Sequence, residues 1–170
     1  GRLAVFFAAV IESEQVPITK QQVVKQRMIR TMEQRDLAQC GAVYAQAFPV
    51  EHWGIDWTAD NATEYLRDFY EQKRFVGYVY EEKGEIAGCL FALCKLCGSQ
   101  KELWINEMAV LPGRQGQGIG RQLLEAAKAY SRENGLAGIV LYTSRYAPAA
   151  KFYENNGFQL SEGTICMYFG

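Results

Sequence analysis

A glycine-rich loop between a predicted strand and a predicted helix constrains this chain more than any other feature of its sequence. An apolar stretch at 103–110 is followed within a few residues by Gly116, Gly118 and Gly120. Alternating glycines allow a backbone to approach a ligand closely and to point successive N–H groups at it. A helix predicted at 119–132 directs the positive end of its dipole at the same place. The loop therefore predicts a site for a di- or triphosphate group.

The residues after the last glycine argue against two common nucleotide-binding loops. A nucleotide P-loop carries Lys-Ser or Lys-Thr at this point, whereas Arg121 and Gln122 stand here. A dinucleotide fingerprint that starts at Gly116 needs its third glycine at the position of Arg121. Neither pattern fits this loop. Arg114 and Arg121 flank it, and we expect both to offset the charge of the phosphates.

The chain from Met28 onward alternates between helical and strand patterns. Strands are predicted at 28–32, 75–80, 86–94, 103–110, 139–142, 158–160 and 164–169. Helices are predicted at 36–48, after a capping box of Asn61 and Glu64, at 119–132, and from Pro148 to about Asn156. The wholly apolar strand at 139–142 is expected to be buried on both faces. This order predicts a single α/β domain with a mixed sheet flanked by helices.

Charge and cysteine content limit the possible partners. A net charge of −1 gives no case for nucleic acid binding, which calls for a clustered basic surface. The five cysteines form no regular framework, so we expect reduced thiols and a cytoplasmic protein. Cys94 and Cys97 form a C-x-x-C pattern, but nearby Cys89 and His52 lack the spacing of a zinc site. The pair also ends a strand, whereas redox pairs open a helix, and we expect no metal.

The first 27 residues differ from the rest of the chain. Their apolar run at 3–11 is far shorter than the ~20 residues that span a bilayer. The run also lacks the basic start and the small-residue cleavage site of a secretory signal. We therefore expect no membrane association and a domain that covers 28–170. Residues 1–27 can be an added helix, an upstream segment or an arm that docks a partner, and a homodimer is also possible.

Two motifs together resemble the GNAT superfamily of acyl-CoA N-acyltransferases. Gln115-x-x-Gly118-x-Gly120, after a hydrophobic strand, matches that family's Gln/Arg-x-x-Gly-x-Gly/Ala motif. Its second signature, a helix with a tyrosine followed by Gly-Phe, is matched by Tyr153 and the Gly-Phe pair at 157–158. The resemblance covers 28–170 and implies a mostly antiparallel mixed sheet. The family's two central parallel strands splay apart, and here they would be the strands at 103–110 and 139–142.

The resemblance implies acetyl-CoA as the co-substrate. Its pyrophosphate would lie on the loop, its pantetheine arm beside the preceding strand, and its thioester in the gap between the splayed strands. The implied donor-binding residues are Met108, Ala109, Val110, Gln115, Gly116, Gln117, Gly118, Ile119, Gly120 and Arg121. Where the family often has a donor-contacting asparagine, this chain has Ser144 and Arg145.

Two residues are candidates for the proton transfers of N-acyl transfer. An alkylamine titrates near ~10.4, so it arrives charged at neutral pH and must lose a proton. Glu107, on the strand beside the expected thioester, can take that proton directly or through water, or it can be a structural glutamate. Tyr153 stands at the family's tyrosine position and can protonate the departing thiolate. Its alternative is a core tyrosine packed beside Phe152.

The acceptor is the least constrained part of the prediction. The segment 51–57 joins the first two predicted helices, the region that commonly walls the acceptor pocket in this family. Trp53, Asp56 and Trp57 in this segment suit a cationic amine, and the same tryptophans can also simply anchor a loop. We expect an N-acetyltransferase acting on a small cationic amine in a ternary complex. The alternatives are an acetyltransferase for protein amines and a non-catalytic acyl-CoA-binding module.

Overall fold

A five-stranded sheet forms the centre of a computed structural model that describes residues 27–163 and Met167. Its strands are β1 (Arg27–Thr31), β2 (Phe75–Glu82), β3 (Glu85–Cys97), β4 (Gln100–Val110) and β5 (Gly138–Leu141). They lie in this order across the sheet. Strands β1 to β4 pair antiparallel, and β5 runs parallel to β4. The predicted mixed, mostly antiparallel sheet is therefore confirmed.

Helices cover both faces of this sheet. They are α1 (Leu37–Ala47), α2 (Val50–Trp53), α3 (Ala59–Tyr70), α4 (Ile119–Glu133) and α5 (Pro148–Asn155), with short 3-10 turns at Gln34–Asp36 and Pro112–Arg114. The core under α1 and α3 includes Leu37, Cys40, Leu66 and Phe91. The core under α4 includes Leu90, Leu103, Ile119 and Leu123. Apolar residues on both faces of β3 explain why that strand reads as one continuous apolar run.

A glycine sets the distance between α1 and α3. A Cβ atom built on Gly41 would lie 2.0 Å from Thr63 Oγ1 and 2.7 Å from the carbonyl oxygen of Ala59. Any larger residue at this position would therefore force the two helices apart. This close approach matters for the site, because α1 carries Tyr44 and α3 carries Tyr65.

An ion-pair network ties the start of α1 to the edge of the sheet. The Arg30 guanidinium donates to Asp36 at 2.7 Å and to Glu81 at 2.6 Å. Burial alone would raise the pKa of Asp36, but the Arg30 guanidinium and the Glu33 N–H together hold it below its ordinary value. Asp36, at the start of α1, is thus mainly the partner of Arg30.

Three details of the sequence prediction change, and a fourth falls almost wholly outside the described residues. Helix α3 begins at Ala59, because the Thr58 hydroxyl caps it by accepting from the Asn61 N–H at 3.2 Å. Asn61 is therefore the last residue of the capping box, not its first. The segment 158–160 forms no strand. Strand β5 is half-buried, since among the described residues it pairs with β4 alone. The strand predicted at 164–169 falls outside the described residues except for Met167.

Replacing Gly41 with alanine is expected to lower the free energy of unfolding by about 1–3 kcal/mol, because the new methyl group meets backbone atoms that cannot move aside. Urea unfolding of both proteins measures the difference. Gly138→Ala is the matched control, since its Cβ would meet no atom within 4 Å. Equal stability of Gly41→Ala and the wild type would show that α1 and α3 have room to separate.

Candidate active site

The glycine-rich loop connects the end of β4 to the start of α4 through two left-handed residues. Gly116 has φ 74° and Gly118 has φ 80°, and Gly118 is the N-cap of α4. These angles favour glycine, since other residues meet a steric penalty there. A Cβ atom on either residue would meet nothing within 4 Å, so both face open space. The loop is thus shaped by backbone geometry and leaves room for a ligand on its outer side.

The backbone amides of this loop find no acceptor among the described residues. Within the described part of the chain, no N–H of residues 116–121 donates to a carbonyl or a side chain, whereas the Gln122 N–H bonds the Gly118 carbonyl at 3.1 Å. The first N–H groups of any helix lack intrahelical partners, and here two left-handed glycines extend that row. The result is a group of donors at the positive end of α4, which suits an anion.

The third glycine and the first arginine of the loop have structural roles. A Cβ atom on Gly120 would lie 3.1 Å from the Phe152 ring, so this glycine allows α4 and α5 to pack closely. The Arg114 guanidinium pairs with Glu82 on β2 and also donates to the Gln117 side chain at 3.2 Å. Arg114 therefore ties the loop to the sheet, while Arg121 at the start of α4 is exposed.

An extra residue in β4 decides where Glu107 lies. Phe91 pairs with Glu107 and Ala92 pairs with Ile105, so Asn106 has no partner opposite it and forms a β-bulge. Side chains alternate between faces along a regular strand, so Ile105 and Glu107 would otherwise share a face. With the bulge, Ile105 packs in the core under α4, whereas Glu107 reaches tyrosines of α1 and α3.

Strand β5 accompanies only the first half of β4. Their pairing ends at Ile105 and Leu141, although β4 continues to Val110. The backbone of Met108 and Val110 is therefore not paired with β5. Among the described residues, no strand pairs with this edge of β4 beyond Ile105.

Glu107 is held by two phenols. The Tyr44 hydroxyl donates to Oε2 at 2.8 Å, and the Tyr65 hydroxyl donates to Oε1 at 2.5 Å. Burial raises the pKa of Glu107 above its ordinary value, and the hydrogen bonds from Tyr65 and Tyr44 offset part of that rise. The Trp57 ring packs against both phenols, with centroids 5.3 Å from Tyr44 and 5.0 Å from Tyr65. The carboxyl group thus sits in an aromatic surrounding with one hydrogen bond to each oxygen.

Tyr153 lies on α5 between Phe152 and Phe158, with ring centroids 5.3 Å and 5.6 Å away. Burial, and after it the negative charge of Glu107, raises the pKa of Tyr153 to about 12. The phenol is therefore protonated at neutral pH. Because the charge of Glu107 affects the pKa of Tyr153, the two predicted proton-transfer residues lie near each other.

A cavity of about 860 Å³ runs along the loop and the end of β4. Its wall includes nine of the ten predicted donor-binding residues: Met108, Ala109, Val110, Gln115, Gly116, Gly118, Ile119, Gly120 and Arg121. Gln117 is not in the wall, because its side chain turns back to Arg114 and to the Gly113 carbonyl. Ser144 lines the cavity as well, whereas Arg145 does not.

The predicted acceptor residues separate in the structure. Trp53 and His52 line the cavity from α2. Asp56 is exposed outside the cavity wall, and its carbonyl accepts from Asn61 Nδ2 at 3.1 Å. Trp57 points inward to the phenols that hold Glu107 and does not line the cavity. Glu107 and Tyr153 lie behind the wall, next to Met108 and Phe152, which form part of it.

Sequence reasoning missed Tyr44, Tyr65 and Phe48. Tyr44 fits the apolar stripe of α1, a spacing that by itself predicts only a helix face, and Tyr65 gives no signal of its own. The Phe48 ring contacts Tyr44 at 4.5 Å and Trp53 at 5.2 Å, and it also lines the cavity. The one available signal was the presence of tyrosines on the apolar faces of two helices, since buried phenols usually have a hydrogen-bond partner.

The C-x-x-C pair is not part of this site. Cys94 is buried and Cys97 is exposed at the end of β3, where its Sγ donates to Glu102 at 3.3 Å. Among residues 27–163 and Met167, no cluster of three or more His, Cys, Asp or Glu side chains is arranged to hold a metal ion. In the same residues, no helix has the length and apolarity needed to cross a membrane.

Comparison with known families now decides the class of this protein. The family model for the acetyltransferase (GNAT) domain matches residues 73–160, just over half of the chain. The chain belongs to the GNAT acetyltransferase family. It is therefore an acyl-CoA-dependent N-acyltransferase, as the two motifs indicated. The match covers β2 to β5, α4 and α5, and it leaves out the helices α1 to α3.

Curated relatives agree with the family. An uncharacterized N-acetyltransferase, YhfO, from Bacillus subtilis is 29% identical over 107 residues, which make up 61% of this chain and 72% of the relative. Streptothricin acetyltransferase from Streptomyces lavendulae is 34% identical over 88 residues, which make up 51% of this chain and 46% of that enzyme. The chain thus spans less than half of the second relative.

Solved structures share the fold. A transcriptional regulator from Bacillus halodurans C-125 is 25% identical with a TM-score of 0.68, over 84% of this chain and 99% of its own. Aminoglycoside N-acetyltransferase AAC(6')-Iy, crystallised in complex with CoA, is 18% identical with a TM-score of 0.68, over 85% of this chain and 95% of its own. At that level of identity the second likeness speaks for the fold alone.

Removing the Tyr65 hydroxyl is expected to raise the pKa of Glu107 further, because its hydrogen bond to the carboxylate favours the charged form. Carboxyl ¹³C titration of ¹³C-glutamate-labelled protein, with Glu107→Gln to assign the signal, measures the pKa. Tyr70→Phe is the matched control, since it removes a hydroxyl from the same helix at a ring that packs on Phe75. An unchanged Glu107 midpoint in Tyr65→Phe would mean that this hydrogen bond is absent in solution.

Proposed function

We propose that this protein transfers an acetyl group from acetyl-CoA directly to the primary amine of a small molecule, within a ternary complex. The observation that carries the proposal concerns two features that border the same cavity. One is the row of N–H groups at 116–121, which find no acceptor among the described residues, and the other is the half of β4 that β5 does not accompany. The name of one relative, a streptothricin acetyltransferase, supports a small-molecule acceptor.

The amides of residues 116–121 would bind the pyrophosphate of the donor. An anion at the start of α4 gains from the helix dipole and from N–H donors that no protein group satisfies. Arg121, exposed at this point of the cavity wall, adds a positive charge. Arg114 contributes mainly by holding the loop through Glu82.

The thioester would lie where β5 ceases to accompany β4. We infer that the two strands part beyond Ile105 and Leu141, and that the pantetheine arm runs along the available edge of β4 at 108–110. A backbone N–H of this segment would then stabilise the negative charge that develops on the thioester oxygen. The neutral amine nitrogen attacks the carbonyl carbon, and a C–N bond forms as the C–S bond breaks. The nitrogen then loses its second proton, which balances the proton that the departing sulfur takes up, and the products are an amide and the CoA thiol.

Glu107 would take the proton that the ammonium of the acceptor must lose. Each carboxylate oxygen accepts one hydrogen bond from a phenol and can accept a second one. Because Glu107 lies behind the cavity wall, the proton would reach it through a water molecule. Because the pKa of Glu107 is raised toward neutral pH, Glu107 is a stronger base than an exposed glutamate.

Tyr153 would assist the departing sulfur. With a pKa of about 12, this phenol is a weaker acid than a thiol of pKa ~8.5, so at first it can only donate a hydrogen bond. Because Tyr153 also lies behind the cavity wall, a water molecule would carry this hydrogen bond to the sulfur. The charge of Glu107 contributes to that high value. When Glu107 accepts the proton of the amine, this charge disappears and Tyr153 becomes a stronger acid. Proton uptake by one residue thus favours proton donation by the other at the moment the thiolate leaves.

Replacing Gly118 with alanine tests the donor loop. Alanine at φ 80° carries a steric penalty, so the loop is expected to leave its binding geometry and the Kd for CoA to rise on the order of tenfold. Calorimetric titration with CoA measures the Kd. Gly113→Ala, at a position with open space and no positive φ, should bind CoA like the wild type. Wild-type affinity in Gly118→Ala would argue that the phosphates bind elsewhere.

Replacing Tyr153 with phenylalanine tests the role of its hydroxyl. We expect an unchanged Kd for CoA and a kcat lower by roughly 10²-fold, a typical effect of losing a proton donor. Thiol release from acetyl-CoA in the presence of a panel of amines measures kcat, and the mass of the product identifies the acceptor. Tyr130→Phe, which removes the hydroxyl of a partly buried tyrosine on α4, is the control. Full turnover in Tyr153→Phe would remove this residue from the mechanism.

Thiol release also separates the proposal from a non-catalytic module. A regulatory acyl-CoA-binding protein would bind CoA tightly and release no thiol with any amine. Acetylation of a mixture of peptides, but of no small amine, would instead indicate a protein acceptor.

A further inference from the structure

The cavity wall has an unusual charge composition for an enzyme that receives an ammonium group. Among the described residues that form it, none is an aspartate or a glutamate, and the charged side chains are Arg114 and Arg121. Glu51 and Asp56, the acidic residues of the segment predicted to bind a cation, are exposed outside the wall. Positive charge in the wall suits the donor phosphates and opposes an acceptor that carries several ammonium groups.

The acceptor side of the wall is instead apolar and aromatic. The corner between α1 and α2 contributes Ala47, Phe48, Pro49, His52 and Trp53. The Phe48 and Trp53 rings meet edge to face, with centroids 5.2 Å apart and planes at 73°. Trp53 is still 44% exposed, so part of its side chain is open to a ligand. Aromatic surfaces of this kind bind flat or apolar groups through buried area and ring contacts.

Among the described residues, Glu107 is the carboxylate linked to the wall, through Tyr44 and Phe48, and it can serve a single ammonium. Glu107 stands behind Phe48 and Tyr44, and it is the charge proposed above to receive the proton of the reacting amine. A second ammonium in the cavity would lose its hydration without meeting a counter-charge, which is costly. The wall therefore discriminates by charge count as well as by shape.

We propose that the acceptor is a monoamine with an apolar or aromatic body, and that polyamines and aminoglycosides are poor substrates. This inference rests on the proposed function, and it names the substrate class of that same site. The aromatic body would lie against Trp53 and Phe48, and the amine would point to the end of β4, where the thioester is expected.

The test is a comparison of acceptors at fixed, saturating acetyl-CoA. Thiol release gives kcat/KM for 2-phenylethylamine and tryptamine on one side and for spermidine and kanamycin on the other. We expect kcat/KM to be higher for the aromatic monoamines by at least roughly tenfold, because burying the apolar surface of an aromatic group contributes a free energy of that order. Equal or better kcat/KM for spermidine or kanamycin would overturn the inference while leaving the acetyltransferase proposal intact. If CoA binds and none of these amines releases thiol, the proposed function fails, and the acceptor class fails with it.

Two variants and one control test whether the wall causes the preference for aromatic monoamines. Trp53→Ala should lower kcat/KM for 2-phenylethylamine by roughly tenfold and leave the Kd for CoA unchanged. Ile55→Ala, an exposed apolar residue in the same segment outside the wall, should change neither quantity. Gln46→Glu places a carboxylate in the wall at nearly constant shape, and it should raise the kcat/KM of spermidine relative to 2-phenylethylamine. An unchanged ratio in Gln46→Glu, or an unchanged kcat/KM in Trp53→Ala, would contradict the role given to this wall.

Discussion

The extra residue at Asn106 is the constraint on which the arrangement of this site depends. Before the bulge, Leu103 and Ile105 face the core under α4, and after it Ala109 lies in the core under α1 and α3. Glu107 follows the same switch and meets the two phenols. Without the bulge, its carboxylate would enter the apolar core under α4, where burial without hydrogen-bond partners is costly. One inserted residue thus gives a buried acid its partners and turns Met108 and Val110 to the other side.

Two charge environments meet along β4. The start of α4 offers N–H groups without acceptors among the described residues, together with Arg121, and both favour an anion. The Glu107 carboxylate, near the other end of the cavity, is enclosed by rings. The pKa of Tyr153 responds to that carboxylate. In the proposed mechanism, donor binding and proton transfer are therefore separated in space but share one strand. Phosphates would then lie at one end of the site, and an ammonium would lose its proton at the other.

The family match begins at residue 73, after the helices that form the acceptor wall. It includes β4, the loop and α4, which hold the donor in the proposed mechanism, and α5, which carries Tyr153. Phe48 and Trp53, together with the phenols that hold Glu107, lie outside it. Donor binding requires one backbone arrangement for one ligand, whereas the acceptor varies between enzymes of the same class. The specificity of this protein must therefore be read from its own α1 to α3.

The sequence by itself determined the donor loop, because its signals are local. Glycine spacing, a preceding apolar strand and a following helix all act within 20 or so residues, and nine of ten predicted donor residues line the cavity. Most helices and strands were predictable for the same reason, whereas 158–160 was not, since a short apolar stretch also packs without a strand partner. The tertiary structure alone decided the partners of Glu107 and the positions of Asp56 and Trp57. These depend on a bulge in β4 and on the close packing of α1 and α3 at Gly41, contacts between segments far apart in the chain that leave no periodic pattern in the sequence.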